Sequence, residues 1–125
     1  MEAIRLTETA SSPIVTLDKE TNEFSFTGRS LPADPQEFYT PIFKWFDEYL
    51  KNPNKETNIV FEIEYMNTAS SKMLLELFRK LKDYIDAGIS INVKWIYDED
   101  DEEVLKSGID FAKFTGIPIN LACKE

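Results

Sequence analysis

The sequence predicts a single α/β domain over residues 1–125, in which an N-terminal β-hairpin and parallel βαβ units form one mixed β-sheet with helices mainly on one face. Segments with apolar residues at every second position alternate with segments whose apolar residues recur at helical spacing. The strand segments alternate apolar with polar residues, whereas parallel strands covered on both faces are continuously apolar. A chain of 125 residues with 42% hydrophobic residues is long enough to bury one core.

The N-terminal region predicts a β-hairpin. Residues 13–17 and 23–27 are rich in β-forming residues, and the polar segment 18–22 between them is typical of a hairpin loop. In the second strand, Phe24 and Phe26 share one face because successive side chains of a strand point to opposite sides.

A first helix should follow this hairpin. Asp34 is suited to the N-cap, Pro35 to the first helical position and Glu37 to the third, so together they predict the helix start. The apolar stripe of the helix consists of Phe38, Ile42, Trp45, Phe46 and Tyr49. Pro41 lacks an N–H, and we expect it to kink the helix or to force a restart at Thr40.

Residues 59–97 predict a βαβ unit. In the strand at 59–65, one face should carry Ile59, Phe61, Ile63 and Tyr65, and the other Val60, Glu62, Glu64 and Met66. The same alternation recurs at 89–97. Between them, residues 72–87 predict an amphipathic helix that ends at Gly88 and buries Leu74, Leu77, Phe78, Leu81, Tyr84 and Ile85.

The C-terminal region predicts a third helix and a last strand. Residues 98–103 are all acidic. Acidic side chains in the first turn of a helix interact favourably with the helix dipole, so the run predicts a helix start in preference to a metal site. Helical spacing follows at Val104, Leu105, Ile109 and Ala112, and Gly116 should close the helix. A final strand is predicted from the alternation of Ile117, Ile119 and Leu121, which gives the element order ββαβαβαβ.

The amino-acid composition limits the kinds of molecule that the protein is expected to bind. The formal charge of −9 disfavours binding to nucleic acid or to anionic membrane surfaces. Residues 1–13 lack the order of charged and apolar residues found in a signal peptide, and no run is long enough to span a membrane, so we expect a cytoplasmic protein. Cys123, the single cysteine, lies in an apolar stretch, and we expect it to be a buried thiol without a chemical role.

The chemistry of common enzymes is missing from the sequence. Histidine is absent, which removes Ser-His and Cys-His nucleophile arrangements and the most common zinc ligand. No glycine-rich phosphate loop follows a predicted strand. Glu62 and Glu64 could divide acid and base roles, but exposed glutamates on a strand usually only solvate the sheet. We therefore expect no enzymatic activity, no cofactor and no metal.

The most informative segment is the joint between the predicted strand at 59–65 and the second helix. Asn67, Thr68, Ser70 and Ser71 place four small polar side chains at a helix start, where free N–H groups and a partial positive charge favour an acceptor, an anion or a phosphorylated hydroxyl. Capping is the simpler explanation, but a cap needs only one side chain. The joint also lies at the carboxyl end of a predicted parallel strand, where open α/β sheets place their sites.

Three segments of the chain resemble SiaC-type regulatory phosphoproteins, which are relatives of the STAS domains of anti-sigma-factor antagonists. They are Phe26-Thr27-Gly28-Arg29-Ser30-Leu31-Pro32, the stretch from Phe38 to Trp45 with Tyr49 and Leu50, and Tyr65-Met66-Asn67-Thr68-Ala69-Ser70-Ser71-Lys72. In STAS antagonists the phosphorylated hydroxyl follows an acidic residue at the start of the corresponding helix. The matching position is Thr68, and Asn67 replaces the acid.

The resemblance implies a STAS-like domain that acts as a partner switch without catalysing a reaction. A cognate serine/threonine protein kinase would phosphorylate Thr68, and a PP2C-like phosphatase would reverse the modification. The unmodified form would bind and promote a diguanylate cyclase, which links the protein to cyclic di-GMP signalling and biofilm regulation in a bacterial cytoplasm. Residues that would support the phosphate or contact the partner are Asn67, Ala69, Ser70, Ser71 and Lys72.

Several alternatives stay open from the sequence. The modified residue could be Ser70 or Ser71 instead of Thr68. The domain could be an ordinary anti-sigma-factor-antagonist-type binding module, or a small protein that binds a phosphate-bearing ligand at the same helix start. Phe43 and Leu50 lie off the main stripe of the first helix, so they could add contact area for a partner or pack in the core.

Overall fold

The computed structural model describes residues 1–124, which form six strands and three helices. The elements in chain order are β1 (Ile4–Leu6), β2 (Ile14–Asp18), β3 (Glu23–Ser30), α1 (Pro35–Tyr49), β4 (Thr57–Met66), α2 (Thr68–Asp86), β5 (Ile91–Asp98), α3 (Glu102–Thr115) and β6 (Asn120–Lys124). The predicted α/β class with a mixed sheet is confirmed.

The six strands lie in the order in which they occur along the chain. β1, β2 and β3 pair antiparallel, and β3 to β6 pair parallel. Each pair of adjacent parallel strands is connected through one helix. Because such crossovers are right-handed, the three helices lie side by side on one face of the sheet, with α2 between α1 and α3. In β4, Ile59, Phe61 and Ile63 are buried beneath the helices while Asn58 and Glu64 are exposed. The prediction of helices mainly on one face is confirmed.

The structure contains one strand more than predicted, and some boundaries differ. β1 is only three residues long, which is too short for an alternation to be recognised. β5 begins at Ile91, and β6 begins at Asn120 although the apolar alternation starts at Ile117. Of the two outcomes expected at Pro41, a kink or a restart at Thr40, the restart does not occur, because α1 runs without interruption through Pro41, which is exposed.

The predicted alternation in β4 is wrong at its last two residues. Arg29 pairs with Tyr65 and Ser30 with Met66, whereas Gly28 pairs with Ile63, so Glu64 is an extra residue in the ladder. A bulge of one residue moves the following side chains to the opposite faces. Tyr65 therefore lies beneath the Arg29 guanidinium on the open face, and Met66 packs against the core.

The structure decides between the two alternatives for Phe43 and Leu50, and it shows that the expected burial of Cys123 is wrong. Leu50 is buried in the core, and Phe43 is half-buried against the same core, so both pack in the interior. Cys123 is exposed because it lies on β6, an edge strand. The core itself is aromatic, and its largest fully buried side chains include Trp95, Tyr39, Tyr49, Phe24, Phe26, Phe46, Phe61 and Phe78.

Candidate functional site

The joint between β4 and α2 is capped by an asparagine. Asn67 has an extended backbone, and its Oδ1 accepts a hydrogen bond of 2.8 Å from the Ser70 N–H. Its carbonyl accepts a second bond of 2.9 Å from the Ser71 N–H. Because Asn67 already supplies these acceptors, α2 begins at Thr68, four residues before the predicted start at Lys72.

A buried network of hydroxyl groups fixes this helix start to the sheet and to α1. The Asn67 N–H donates to the Ser30 carbonyl at 3.1 Å, and the Ser30 Oγ donates to the Ser70 Oγ at 2.9 Å. The hydroxyl of Tyr39 lies 2.5 Å from the Ser30 Oγ. Ser30, Ser70 and Tyr39 have no exposed surface, so the network holds three segments together in the interior.

The tyrosine of this network remains neutral. Burial raises the pKa of Tyr39 above its usual value of 10.0, and its hydrogen bonds with Ser30 and Ser70 act in the opposite direction. A neutral phenol keeps its proton for hydrogen bonding at every physiological pH. The network is therefore structural and does not depend on titration.

The side chains predicted for the site differ sharply in accessibility. Thr68, Ala69 and Lys72 are exposed, Asn67 and Ser71 are half-buried, and Ser70 is fully buried. Ser70 thus faces inward, where neither a kinase nor a partner can reach its hydroxyl. The N–H groups of Ser70 and Ser71 already donate to Asn67, so they are not free to bind a phosphate at the helix start. Of the three hydroxyl groups of the joint, only that of Thr68 belongs to an exposed residue.

The electrostatics of the joint are unlike those of the other two helix starts. α1 begins with Asp34 and Glu37, and α3 with Asp101 followed by Glu102 and Glu103, so each has carboxylates at its positive end. The first turn of α2 has no acidic residue, and its cap is a neutral amide. Its first N–H groups have no intrahelical acceptor, and Lys72 lies four residues after Thr68, on the same helix face.

Sequence reasoning missed two members of this site. Ser30 is the last residue of β3, Tyr39 lies in α1, and both are polar residues. The available signal was that such residues, when buried, need a hydrogen-bond partner. The pairing itself could not be predicted because Ser30 and Ser70 are 40 residues apart in sequence.

Metal and carboxylate chemistry find no support in the described part of the chain. Residues 1–124 contain no group of three or more histidine, cysteine or acidic side chains placed to hold a metal ion. Glu62 pairs with Lys124 at 3.2 Å across the open face, so it acts as an ion-pair partner there. None of the helices formed by these residues is both long enough and apolar enough to cross a membrane.

Comparison with known proteins places the chain in a family. The sequence profile described as SiaC family regulatory phosphoprotein matches residues 6–124. An uncharacterised protein of Pseudomonas aeruginosa is 22% identical over 125 residues, covering 100% of this chain and 99% of that protein.

Solved structures show the same fold. SiaC of Pseudomonas aeruginosa has a TM-score of 0.88 at 20% identity, with 99% of this chain and 100% of that one covered. A structure described as the diguanylate cyclase SiaD in complex with its activator SiaC, from the same organism, contains a chain with a TM-score of 0.90 at 21% identity, with 97% of this chain and 99% of that one covered. With a profile that spans nearly the whole sequence and a fold shared over nearly every residue, this chain belongs to the SiaC family of regulatory phosphoproteins.

Proposed function

We propose that the protein is a non-enzymatic partner switch in which reversible phosphorylation of Thr68 controls binding to a diguanylate cyclase. Membership of a family of regulatory phosphoproteins supports the general role. The solved neighbour in which SiaC is the activator of the cyclase SiaD supports a cyclase as the partner of this chain. A serine/threonine protein kinase adds the phosphate, a PP2C-like phosphatase removes it, and the switch acts in the cytoplasm on cyclic di-GMP output and biofilm formation.

The observation that carries the proposal is the position of Thr68. It is exposed, it is the first residue of α2, and the capping bonds are made by Asn67. A phosphate on Thr68 would add the negative charge that α2 lacks at its N-terminus. The helix dipole and the N–H groups of Thr68 and Ala69, which Asn67 does not cap, would stabilise this anion. The buried network beneath it does not involve the Thr68 hydroxyl, so modification leaves the fold intact.

The same phosphate would change the docking surface for a partner. At neutral pH it adds about −1.5 to −2 charges, which a docked protein must desolvate or meet with its own charge. A coupling free energy of about 1–3 kcal/mol corresponds to a 5- to 150-fold change in affinity. Release of the cyclase therefore requires no large rearrangement of the chain.

The test is a titration of the cyclase from the same organism with four forms of the protein. These are the unmodified chain, Thr68→Ala, Thr68→Asp and a chain with phosphothreonine incorporated at position 68. We expect the unmodified chain and Thr68→Ala to bind within about twofold of each other, and the phosphorylated chain to bind about 5- to 150-fold more weakly. Calorimetry gives the affinity, and cyclic di-GMP synthesis gives the functional readout.

Thr21→Asp is the matched control. Thr21 is also an exposed threonine, but it lies in the β2–β3 loop, at the end of the sheet where the parallel strands begin, whereas Thr68 lies where β4 ends. The same charge change at Thr21 should therefore leave binding unaltered. Equal affinity for all four Thr68 forms would contradict the switch. Capture of an anti-sigma factor in place of the cyclase would favour the antagonist-type module, and a raised melting temperature with small phosphorylated metabolites would favour the ligand-binding alternative.

A further inference from the structure

The helix layer of the domain stops short of one sheet edge. Each helix accompanies one parallel connection, but β1 and β2 precede the first helix, so no crossover helix accompanies them. On the face that the helices cover, Ile4 of β1 pairs with Leu17 and Leu6 with Val15. Val15 and Leu17 are fully buried, whereas Leu6 is 38% exposed. The apolar side chains of β1 therefore lie beside α1 without a covering element among residues 1–124.

An open groove of about 710 Å³ occupies this position. Its floor is formed by Ile4 and Leu6 of β1, and its wall by Phe38, Pro41 and Ile42 of α1. Phe38 is partly exposed and Pro41 is exposed, whereas Ile42 is fully buried, so the accessible part of the wall is formed by Phe38 and Pro41. A helix that packed against them would lie with its axis about 8–10 Å from that of α1. The groove therefore has the floor and wall that a fourth helix beside α1 would need.

The rim of the groove has acceptors but no cation. Asp34 and Glu37 are exposed carboxylates at this rim, and no lysine or arginine is among the lining residues. Pro41 has no N–H to donate to the carbonyl of Glu37, which adds another acceptor at the wall. Arg5, the cation of β1, pairs with Asp18 on the other face. An occupant must therefore supply donors and positive charge as well as apolar side chains.

We propose that this groove docks an amphipathic helix of a partner protein, with an apolar stripe against Leu6 and Phe38 and Lys or Arg residues facing Asp34 and Glu37. The inference deepens the proposed function, and it rests on that function in supposing that the chain acts through a partner. The docked helix would complete the layer formed by α1, α2 and α3. A second copy of this chain fits less well, because two molecules of net charge −9 repel each other.

The test uses a synthetic helical peptide of leucine and lysine, with leucine on one face, and an analogue in which glutamate replaces lysine. Amide chemical shifts of the full chain are followed during titration. We expect the basic peptide to perturb residues 4–12 and 33–42, and the acidic analogue not to bind. Leu6→Lys should weaken binding about tenfold or more because it removes apolar contact and adds like charge, and Glu37→Gln about two- to fivefold.

Each variant has a matched control. Ile14→Lys places the same charge on the neighbouring strand at a residue 40% exposed, but on the opposite face. Glu76→Gln removes an exposed carboxylate from α2. Both should bind the peptide within about twofold of the unaltered chain. Equal losses in a variant and its control would overturn the proposal.

Two other results would also contradict the proposal that a partner's helix binds in the groove. The most acidic segment is 98–103, and perturbation centred there would mean that charge alone attracts the peptide. A concentration-dependent dimer that Leu6→Lys dissociates would assign the groove to a second copy. Binding of the cyclase tests the phosphorylation switch separately from the groove. If phosphorylation of Thr68 weakens cyclase binding but Leu6→Lys does not, the switch is retained and the groove is rejected as the partner surface. If Leu6→Lys weakens cyclase binding but phosphorylation of Thr68 does not, only the switch is rejected.

Discussion

At the scale of single residues, neighbouring side chains in the joint between β4 and α2 have three different roles. Asn67 caps α2, Ser70 bonds to Ser30 in the interior, and Thr68 faces solvent. The sequence predicted that this cluster is important because hydroxyl and amide residues accumulate at a helix start. Local patterning could not rank the hydroxyls, and only the family resemblance selected Thr68, because the role of each hydroxyl depends on which side of the first turn faces Ser30 and Tyr39.

This separation predicts unequal costs of substitution. Asn67→Ala should lower the free energy of unfolding by about 1 kcal/mol, the usual cost of losing an N-cap. Thr68→Ala should change it by no more than about 0.5 kcal/mol, as expected for an exposed site. Urea denaturation followed by tryptophan fluorescence measures both values. If Thr68→Ala were as destabilising as Asn67→Ala, the hydroxyl would be structural and a poor place for a switch.

At the scale of elements, α3 approaches the sheet closely at Gly108. A Cβ at this position would lie 2.5 Å from Cδ1 of Trp95 and 2.8 Å from Cδ2 of Leu121. The Trp95 ring cannot easily move aside, because its Nε1 donates to the Val104 carbonyl at 2.8 Å. The sequence predicted α3 from its acids and from Gly116, but periodicity did not identify Gly108 as the point of contact, and Ile109 of the apolar pattern is 45% exposed.

Gly108→Ala should therefore destabilise the protein, although alanine is the better helix former by about 1 kcal/mol. We expect the overpacking to lower the free energy of unfolding by about 1–3 kcal/mol. Ser107→Ala, one residue away, is the control and should stay within about 0.5 kcal/mol. Thermal and urea unfolding would measure both. A gain in stability from Gly108→Ala would show that α3 can shift away from the sheet.

The β2–β3 turn and the edge strand β1 meet at one carboxylate. Asp18 Oδ1 accepts from the N–H groups of Glu20 and Thr21 at 2.9 and 3.3 Å, and Oδ2 pairs with Arg5 of β1. Desolvation acts to raise the pKa of Asp18, but the hydrogen bonds from Thr21, Arg5 and Glu20 outweigh it and hold the pKa below its usual value of 3.8.

A lowered carboxyl pKa determines the sign of a pH effect. The contribution of Asp18 to stability is fully present above the unfolded pKa of 3.8 and is lost as the pH falls through the lower folded value. We expect Asp18→Asn to reduce the acid sensitivity of unfolding at pH values below about 4. Carboxyl NMR titration measures the pKa directly, with Asp83, an exposed residue of α2, substituted in parallel as a control. An Asp18 pKa at or above 3.8 would contradict this account.

At the scale of the whole molecule, the fold is shared with SiaC of Pseudomonas aeruginosa at only 20% identity. A fold is expected to be retained at such low identity when its layers depend on the spacing of apolar residues and on the order of elements more than on the identity of each residue. The same logic explains the open groove beside α1. A hairpin added before the first βαβ unit extends the sheet without extending the helix layer.

The sequence by itself determined the class of the fold, the elements α1 to α3 and the face of the sheet that they cover, and it predicted the segment that we propose as the functional site. These properties follow from local periodicity, helix caps and charge, all of which act between residues close in the chain. Only the tertiary structure decided that Tyr65 faces the open side, that Ser70 is sealed beside Ser30 and Tyr39, and that Thr68 stays exposed. Each of these features depends on a bulge or on a contact between segments that are distant in the sequence. Local sequence patterns do not predict which distant side chains come into contact.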